Sequence, residues 1–167
     1  SECSGGCGPE GYLFFSIADR WIVTRLQLTL KKIDEFLLKY RFDLASKELY
    51  EFVWNEFCDW YLEFAKTQLN SDLEKRKRAT RRTMLRTFET ILRLSHPFIP
   101  FLTEELWQHI SPLANKSEKL QNDEFDSIML STFPEHNPSK PDFSAQAIIQ
   151  ELKELISAIR TLRSEMK

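Results

Sequence analysis

The chain has 167 residues, 42% hydrophobic and 29% charged, with a formal net charge of −2, which is about one domain's worth of chain with enough apolar side chains to fill a core. The small net charge excludes nucleic-acid binding by bulk attraction and leaves only local patches for it. No run approaches the roughly 18 apolar residues of a membrane span, the polar, Gly-rich start carries no secretory signal, and three cysteines make no disulfide framework, which fits a reducing cytoplasm.

Only 4 glycines occur, three of them in the first ten residues. With long periodic segments and few β-branched runs, this predicts an all-α fold. Residues 1–15 read as a leader, with Tyr12, Leu13, Phe14 and Phe15 available to dock on the body. Ser16 and Asp19, in S-x-x-D form, start a helix expected over 16–40. Its Ile22, Leu26, Ile33, Phe36, Leu37 and Tyr40 make one buried face. Asp43 is the expected N-cap of a second helix over 43–68. At about 100° per residue, Leu49, Val53, Phe57, Trp60 and Phe64 fall on one stripe, read as core. The opposite arc holds Asn55, Asp59, Glu63 and Lys66, with apolar Leu62 set among them.

A third helix, over 71–95, is expected to be capped by Ser71 or Asp72 and to bury Met84, Leu85, Phe88, Ile91 and Leu92. Its first half holds Lys75, Arg76, Lys77, Arg78, Arg81, Arg82 and Arg86 with no acid between them. Lys75, Arg78, Arg82, Arg86 and Arg93 align opposite the apolar face, either as a phosphate-binding stripe or as a solvated face. Pro97 and Pro100 interrupt the chain. Thr103, Glu104 and Glu105 then open a fourth helix over 101–111 that buries Leu106, Trp107 and Ile110. Residues 112–143 are irregular, with a short extended segment near 127–133. Ser144 caps a last helix over 144–166, patterned by Ile148, Leu152, Leu155, Ile159, Leu162 and Met166. That pattern reaches the end without a C-cap, so a longer native chain is expected. The short connections predict an up-down helix bundle over 16–111, followed by an irregular crossover and a C-terminal helix over 144–167.

Cys3 and Cys7, with His96, His109 and His136, raise the question of zinc. One C-x3-C pair lacks the second close pair of a tetrahedral site, so no metal is expected. The histidines have no nucleophile or carboxylate in register, so no catalytic group is assigned.

Two stretches carry a resemblance. YRFDLASKELYEFVWNEFCDWYLEFAK, from Tyr40 to Lys66, includes seven aromatic residues between Tyr50 and Phe64. HPFIPFLTEELWQHI runs from His96 to Ile110. With ADRWIVTRL at Ala18 to Leu26, SIMLSTFP at Ser127 to Pro134 and the terminal IRTLRSEMK, they resemble the helical anticodon-binding domain of the bacterial valyl-tRNA synthetase family of class I. Isoleucyl- and leucyl-tRNA synthetases share the bundle, and the FCDWYLE string favours the valyl type.

The resemblance implies a parent enzyme joining valine to its tRNA with ATP, in a catalytic domain whose HIGH-like and KMSKS-like motifs are not in this sequence. This chain is then expected to have no catalytic site and no cofactor, and to act as a cytoplasmic monomer whose partner is valine tRNA. The family's N-K-x-x-N-x-x-R-F helix, expected upstream of Ser1, is missing. The family's remaining contact region carries over to Leu62 and Lys66, with Asp59 and Asn55 on the same arc, as anticodon contacts. Lys75, Arg78, Arg82 and Arg86 are the phosphate candidates. A reading from a different class stands beside this one: a helical protein–protein interaction module.

Overall fold

The computed structural model describes residues 13–113 and 127–166. Helix α1 (Ile17–Leu38) starts with a complete capping box. The Ser16 hydroxyl accepts the Asp19 N–H at 3.1 Å, and Asp19 Oδ2 accepts the Ser16 N–H at 3.0 Å, so two donors of the helix start are satisfied. Trp21, Ile22, Leu26, Leu30 and Ile33 are buried along α1, each contributing about 1.5–3 kcal/mol of transfer free energy.

The helix closes in a Schellman turn. The Arg41 N–H donates to the Phe36 carbonyl at 2.9 Å and the Tyr40 N–H to that of Leu37 at 3.0 Å, which leaves Tyr40 at a φ of 55°. Glycine is usual at this position. Tyr40, expected on the buried face, is instead 81% exposed, because the chain has turned away before its ring can reach the core.

Helix α2 (Phe42–Glu51), a π-helical segment (Phe52–Tyr61) and helix α3 (Leu62–Leu69) form one continuous rod. Arg41, not Asp43, is the N-cap, and no side chain caps it. Asp43 lies in the first turn, where Arg41 donates to it at 2.9 and 2.7 Å and lowers its carboxyl to about 2. The π geometry corrects the expected stripe. Buried residues run Ala45, Leu49, Phe52, Phe57, Tyr61 and Ala65, while Val53, Trp60 and Phe64 are half-buried. The step of five between Phe52 and Phe57 reflects hydrogen bonding to the fifth residue back, as where the Leu62 N–H donates to the Phe57 carbonyl. Trp60, read from the sequence as core, sits at the margin of the core.

Leu73 begins α4 (Glu74–Ser95) without a side-chain cap. Ser71 only accepts the Leu73 N–H in the preceding turn, at 3.3 Å, and the start lies three residues beyond the expected one. Ile91 and Leu92 are buried, whereas Met84, Leu85 and Phe88 are half-buried. Helix α5 (Pro100–Ile110) has proline at its start, where a missing N–H costs nothing. Thr103, expected to open this helix, is buried inside its first turns. Its hydroxyl donates to the Ile99 carbonyl at 2.9 Å and lies 2.8 Å from His96 Nδ1. Trp107 is buried, Ile110 half-buried and Leu106 at the surface.

The extended segment expected near 127–133 is a 3-10 turn, Ile128–Leu130, and among the described residues all regular structure is helical. Glu104 fixes the turn by accepting the Ser127 hydroxyl at 2.9 Å and the Ile128 N–H at 3.1 Å. Ile128 joins Leu92 and Trp107 in a small second core. The crossover then follows α1. Gln27 accepts the Asn137 N–H at 2.7 Å, Thr24 accepts that of Asp142 at 2.8 Å, and Arg20 pairs with Asp142 at 2.9 Å.

Asp142, not Ser144, caps α6 (Phe143–Glu165), accepting the Ala145 N–H at 3.0 Å. Only Ala145 and Ile149 of α6 are buried, and the apolar stripe Ile148, Leu152, Leu155, Ile159, Leu162 and Met166 faces outward. Helix α6 touches α1 through its first turns, and Lys153 anchors it. The Lys153 ammonium lies 5.3 Å from the Trp21 ring, 5.2 Å from the Trp60 ring and 3.3 Å from Glu56 Oε2. Arg160 covers Trp60 at 5.3 Å.

Helix α1 packs against α2, the π segment, α4 and α6, and α5 lies on α4. One buried carboxylate ties three of these elements together. Asp19 Oδ1 accepts the Tyr61 hydroxyl at 2.9 Å and Oδ2 that of Thr80 at 3.1 Å.

Candidate nucleic-acid interface

The outward side of the α2–α3 rod is set by what its inward side buries. With Leu49, Phe52, Phe57, Tyr61 and Ala65 committed to the core, Tyr50, Trp54, Asn55, Asp59, Glu63 and Lys66 are left exposed. Of the four anticodon candidates, the structure puts Asn55, Asp59 and Lys66 on this open side. Lys66 is ion-paired with Glu63 at 2.5 Å, a pair worth little while both groups are in water. Leu62 differs. It is half-buried and packs against the main core, so its apolar character is explained by packing from within the rod. Next to Asp59, the Cys58 thiol is pushed above its ordinary value by burial and then by the Asp59 charge.

The basic candidates all lie on α4, which packs beside α3. Lys75 and Arg86 are exposed, and Arg78 and Arg82 are half-buried. Desolvation and then the neighbouring Arg82 lower the Arg86 guanidinium from its ordinary value. Like charges one helical turn apart repel, so these two guanidinium groups gain from any anion placed between them. At the start of the helix, Glu74 is lowered by its bond to Lys77, with Arg81 and Arg78 adding to the field. Arg93 leaves the stripe. It pairs with buried Glu89 at 2.7 Å and donates to the Thr132 carbonyl at 2.8 Å, holding the crossover against α4. Arg76 is also diverted, lying over the Phe14 ring at 5.6 Å.

The histidines make local contacts. His96 meets Thr103 as described, and His109 Nδ1 lies 2.9 Å from the Glu105 carbonyl of its own helix. His136 acts on Asp34, whose carboxyl is raised by burial against that histidine's lowering influence. Among the described residues no group of three or more His, Cys, Asp or Glu side chains could hold a metal ion, and no helix is long and apolar enough to cross a membrane. Cys3 and Cys7 lie outside the described residues.

Sequence reasoning missed one feature of the ridge. Tyr50 and Trp54 are 63% and 56% exposed, and their rings stack 6.2 Å apart at 4°. The signal was present: both sit one position beyond a buried or half-buried residue, Leu49 and Val53, and four apart from each other.

Comparison with known proteins bears on this surface. The sequence model of the family described as the anticodon-binding domain of tRNA ligase matches residues 19–167. The chain is 45% identical over 160 residues to a protein of Dechloromonas aromatica (strain RCB) named valine–tRNA ligase, covering 96% of this chain and 16% of that protein. It is 50% identical over 162 residues to the valine–tRNA ligase of Laribacter hongkongensis (strain HLHK9), covering 96% and 17%. It is 48% identical over 160 residues to that of Coxiella burnetii (strain RSA 493 / Nine Mile phase I), covering 95% and 17%. The chain thus spans 16–17% of the length of these relatives. A helical fold, a match over nearly all of the chain and this identity to bacterial valine–tRNA ligases lead to one assignment: the chain belongs to the family of anticodon-binding domains of tRNA ligases.

Proposed function

We propose that this chain holds the anticodon arm of a valine tRNA while a ligase of the kind its relatives are named for joins valine to the tRNA. The match of residues 19–167 to the anticodon-binding family carries this reading. ATP use and valine activation fall to a catalytic domain outside these residues, and the chain itself takes no cofactor. It works in the cytoplasm, as a monomer.

The surface fits the task in two parts. Single-stranded loop bases offer their pairing edges to amides, carboxylates and cations. Asn55, Asp59 and Lys66 supply these groups, and Leu62 supports the ridge from beneath. Lys75, Arg78, Arg82 and Arg86 hold backbone phosphates, which sets position without reading sequence. The interaction-module reading draws on the exposed apolar side of α6. The isoleucyl and leucyl alternatives lack the support that identity to valine–tRNA ligases gives the valyl one.

A salt series tests the phosphate-binding role of α4. Affinity for valine tRNA should fall linearly on a log–log plot of binding constant against salt. Replacing Lys75, Arg78, Arg82 and Arg86 with Gln should flatten that line by about 0.7–0.9 for each phosphate no longer neutralised. An unchanged slope returns these residues to a solvated face.

A further inference from the structure

We propose that Tyr50 and Trp54 form a stacking ledge for an unpaired base of the bound tRNA loop, with Asn55 beside it to meet that base's edge. The inference rests on the tRNA-binding function proposed for the chain and adds to it an interaction of a different chemical kind.

The ledge has a specific geometry. The two rings are near-parallel, at 4° with centroids 6.2 Å apart, so they present aligned aromatic surfaces along the ridge. Both are mostly in water, at 63% and 56% exposure. The other tryptophans are placed differently: Trp21 and Trp107 are fully buried, and Trp60 is half-buried beneath Lys153 and Arg160. Core packing therefore accounts for those three and not for Trp54.

The neighbours favour a nucleotide as the occupant. Asn55 follows Trp54 directly and is exposed, and Asp59 lies one turn on. An amide and a carboxylate beside an aromatic face are the set that single-stranded bases use: a flat surface for the ring and polar partners for its edge. The cations of α4 lie on the helix packed against α3 of the same rod and offer phosphate partners to the same RNA. Lys47 and Glu51, on the same helix, lie 3.9 Å apart, so their charges offset one another.

The test uses the 167-residue chain and a hairpin RNA carrying the anticodon stem and loop of valine tRNA, titrated by fluorescence anisotropy. Trp54→Ala should weaken binding about 5- to 150-fold, the range for one base–aromatic stack. Trp54→Phe should keep most of the affinity, and Tyr50→Ala should weaken it less than Trp54→Ala. Thermal unfolding of all three should stay within a few degrees of wild type. RNA should also quench tryptophan emission in the wild type but not in Trp54→Phe. Binding that is intact in wild type and unchanged in Trp54→Ala overturns the ledge and leaves the tRNA reading standing. The ledge is equally overturned if Trp54→Ala unfolds much earlier while its affinity holds, since Trp54 then serves packing. No binding by the wild type overturns both readings.

Discussion

Replacing Asp19 with Ala should cost about 3–5 kcal/mol, because a single buried carboxylate closes three elements at once. Asp19 is 1% exposed and Tyr61 and Thr80 are 0% exposed, so neither hydroxyl can turn to water once its acceptor is gone. An orphaned buried hydroxyl costs about 1–3 kcal/mol, and losing the reciprocal bond from the Ser16 N–H to the Asp19 carboxylate costs about 1 kcal/mol. The upper part of the summed range is trimmed because the surroundings relax partly into the space the carboxylate leaves. Urea unfolding of wild type, Asp19→Ala, Tyr61→Phe and the double variant measures both the cost and its origin. Tyr61→Phe alone should cost about 1.5–3 kcal/mol, as for a hydrogen bond to a charged group. The pair should couple by about 0.5–3 kcal/mol. An Asp19→Ala variant within 1 kcal/mol of wild type (about one ordinary hydrogen bond), or strict additivity with Tyr61→Phe, would refute the idea that this carboxylate joins α1, the π segment and α4.

Burial, and then the Asp19 charge, raise the Tyr61 phenol above its ordinary value. The unfolded chain thus loses this proton first, and stability should be full below about pH 10 and decline above it, by up to about 1.4 kcal/mol per pH unit. Tyr61→Phe should flatten that limb in pH-dependent unfolding, and an unaltered limb would contradict the assignment. Tyr40→Gly should stabilise the fold by about 0.5–1 kcal/mol, since relief of a left-handed tyrosine outweighs the added freedom of glycine in the unfolded chain; a lower melting temperature would show that the exposed ring makes a stabilising contact. Lys153→Met keeps the stem and removes the ammonium between Trp21 and Trp60, so it should cost about 1–2 kcal/mol and speed amide exchange in the first turns of α6. Protection equal to wild type there would mean that the Lys153 charge does not hold α6.

The helices were legible because each has a strong local cause. Ser16 and Asp19 mark the start of α1, and Pro97 and Pro100 separate α4 from α5, so these boundaries fall within a residue or two of expectation. The face of the α2–α3 rod was not, for one reason: a period of 3.6 does not hold across a π-helical segment. The five-residue step from Phe52 to Phe57 was there to be read, and it moves Tyr61 and Ala65 inward in place of Trp60 and Phe64. The caps of α2, α4 and α6 fall elsewhere than expected: α2 and α4 start without a side-chain cap, and at α6 Asp142 takes the place expected for Ser144. The apolar repeat of α6 predicted a helix but not its packing. Periodicity says which side is apolar, but not whether another part of the chain reaches it. At the candidate interface, the exposure of Asn55, Asp59 and Lys66 followed from the pattern. The inward turn of Leu62 depended on the π register, whereas the four-residue spacing of Tyr50 and Trp54 was there to be read.

We propose that this domain reads a valine anticodon, and the most direct measurement compares two RNAs. The 167-residue chain should be titrated with valine tRNA and with the same tRNA carrying another amino acid's anticodon, at one salt concentration. Phosphate interactions are common to both, so they cancel in the ratio. The swapped tRNA should bind more weakly by about 1–3 kcal/mol, the worth of reading one base edge by analogy with DNA. Equal affinity for the two tRNAs would contradict the claim.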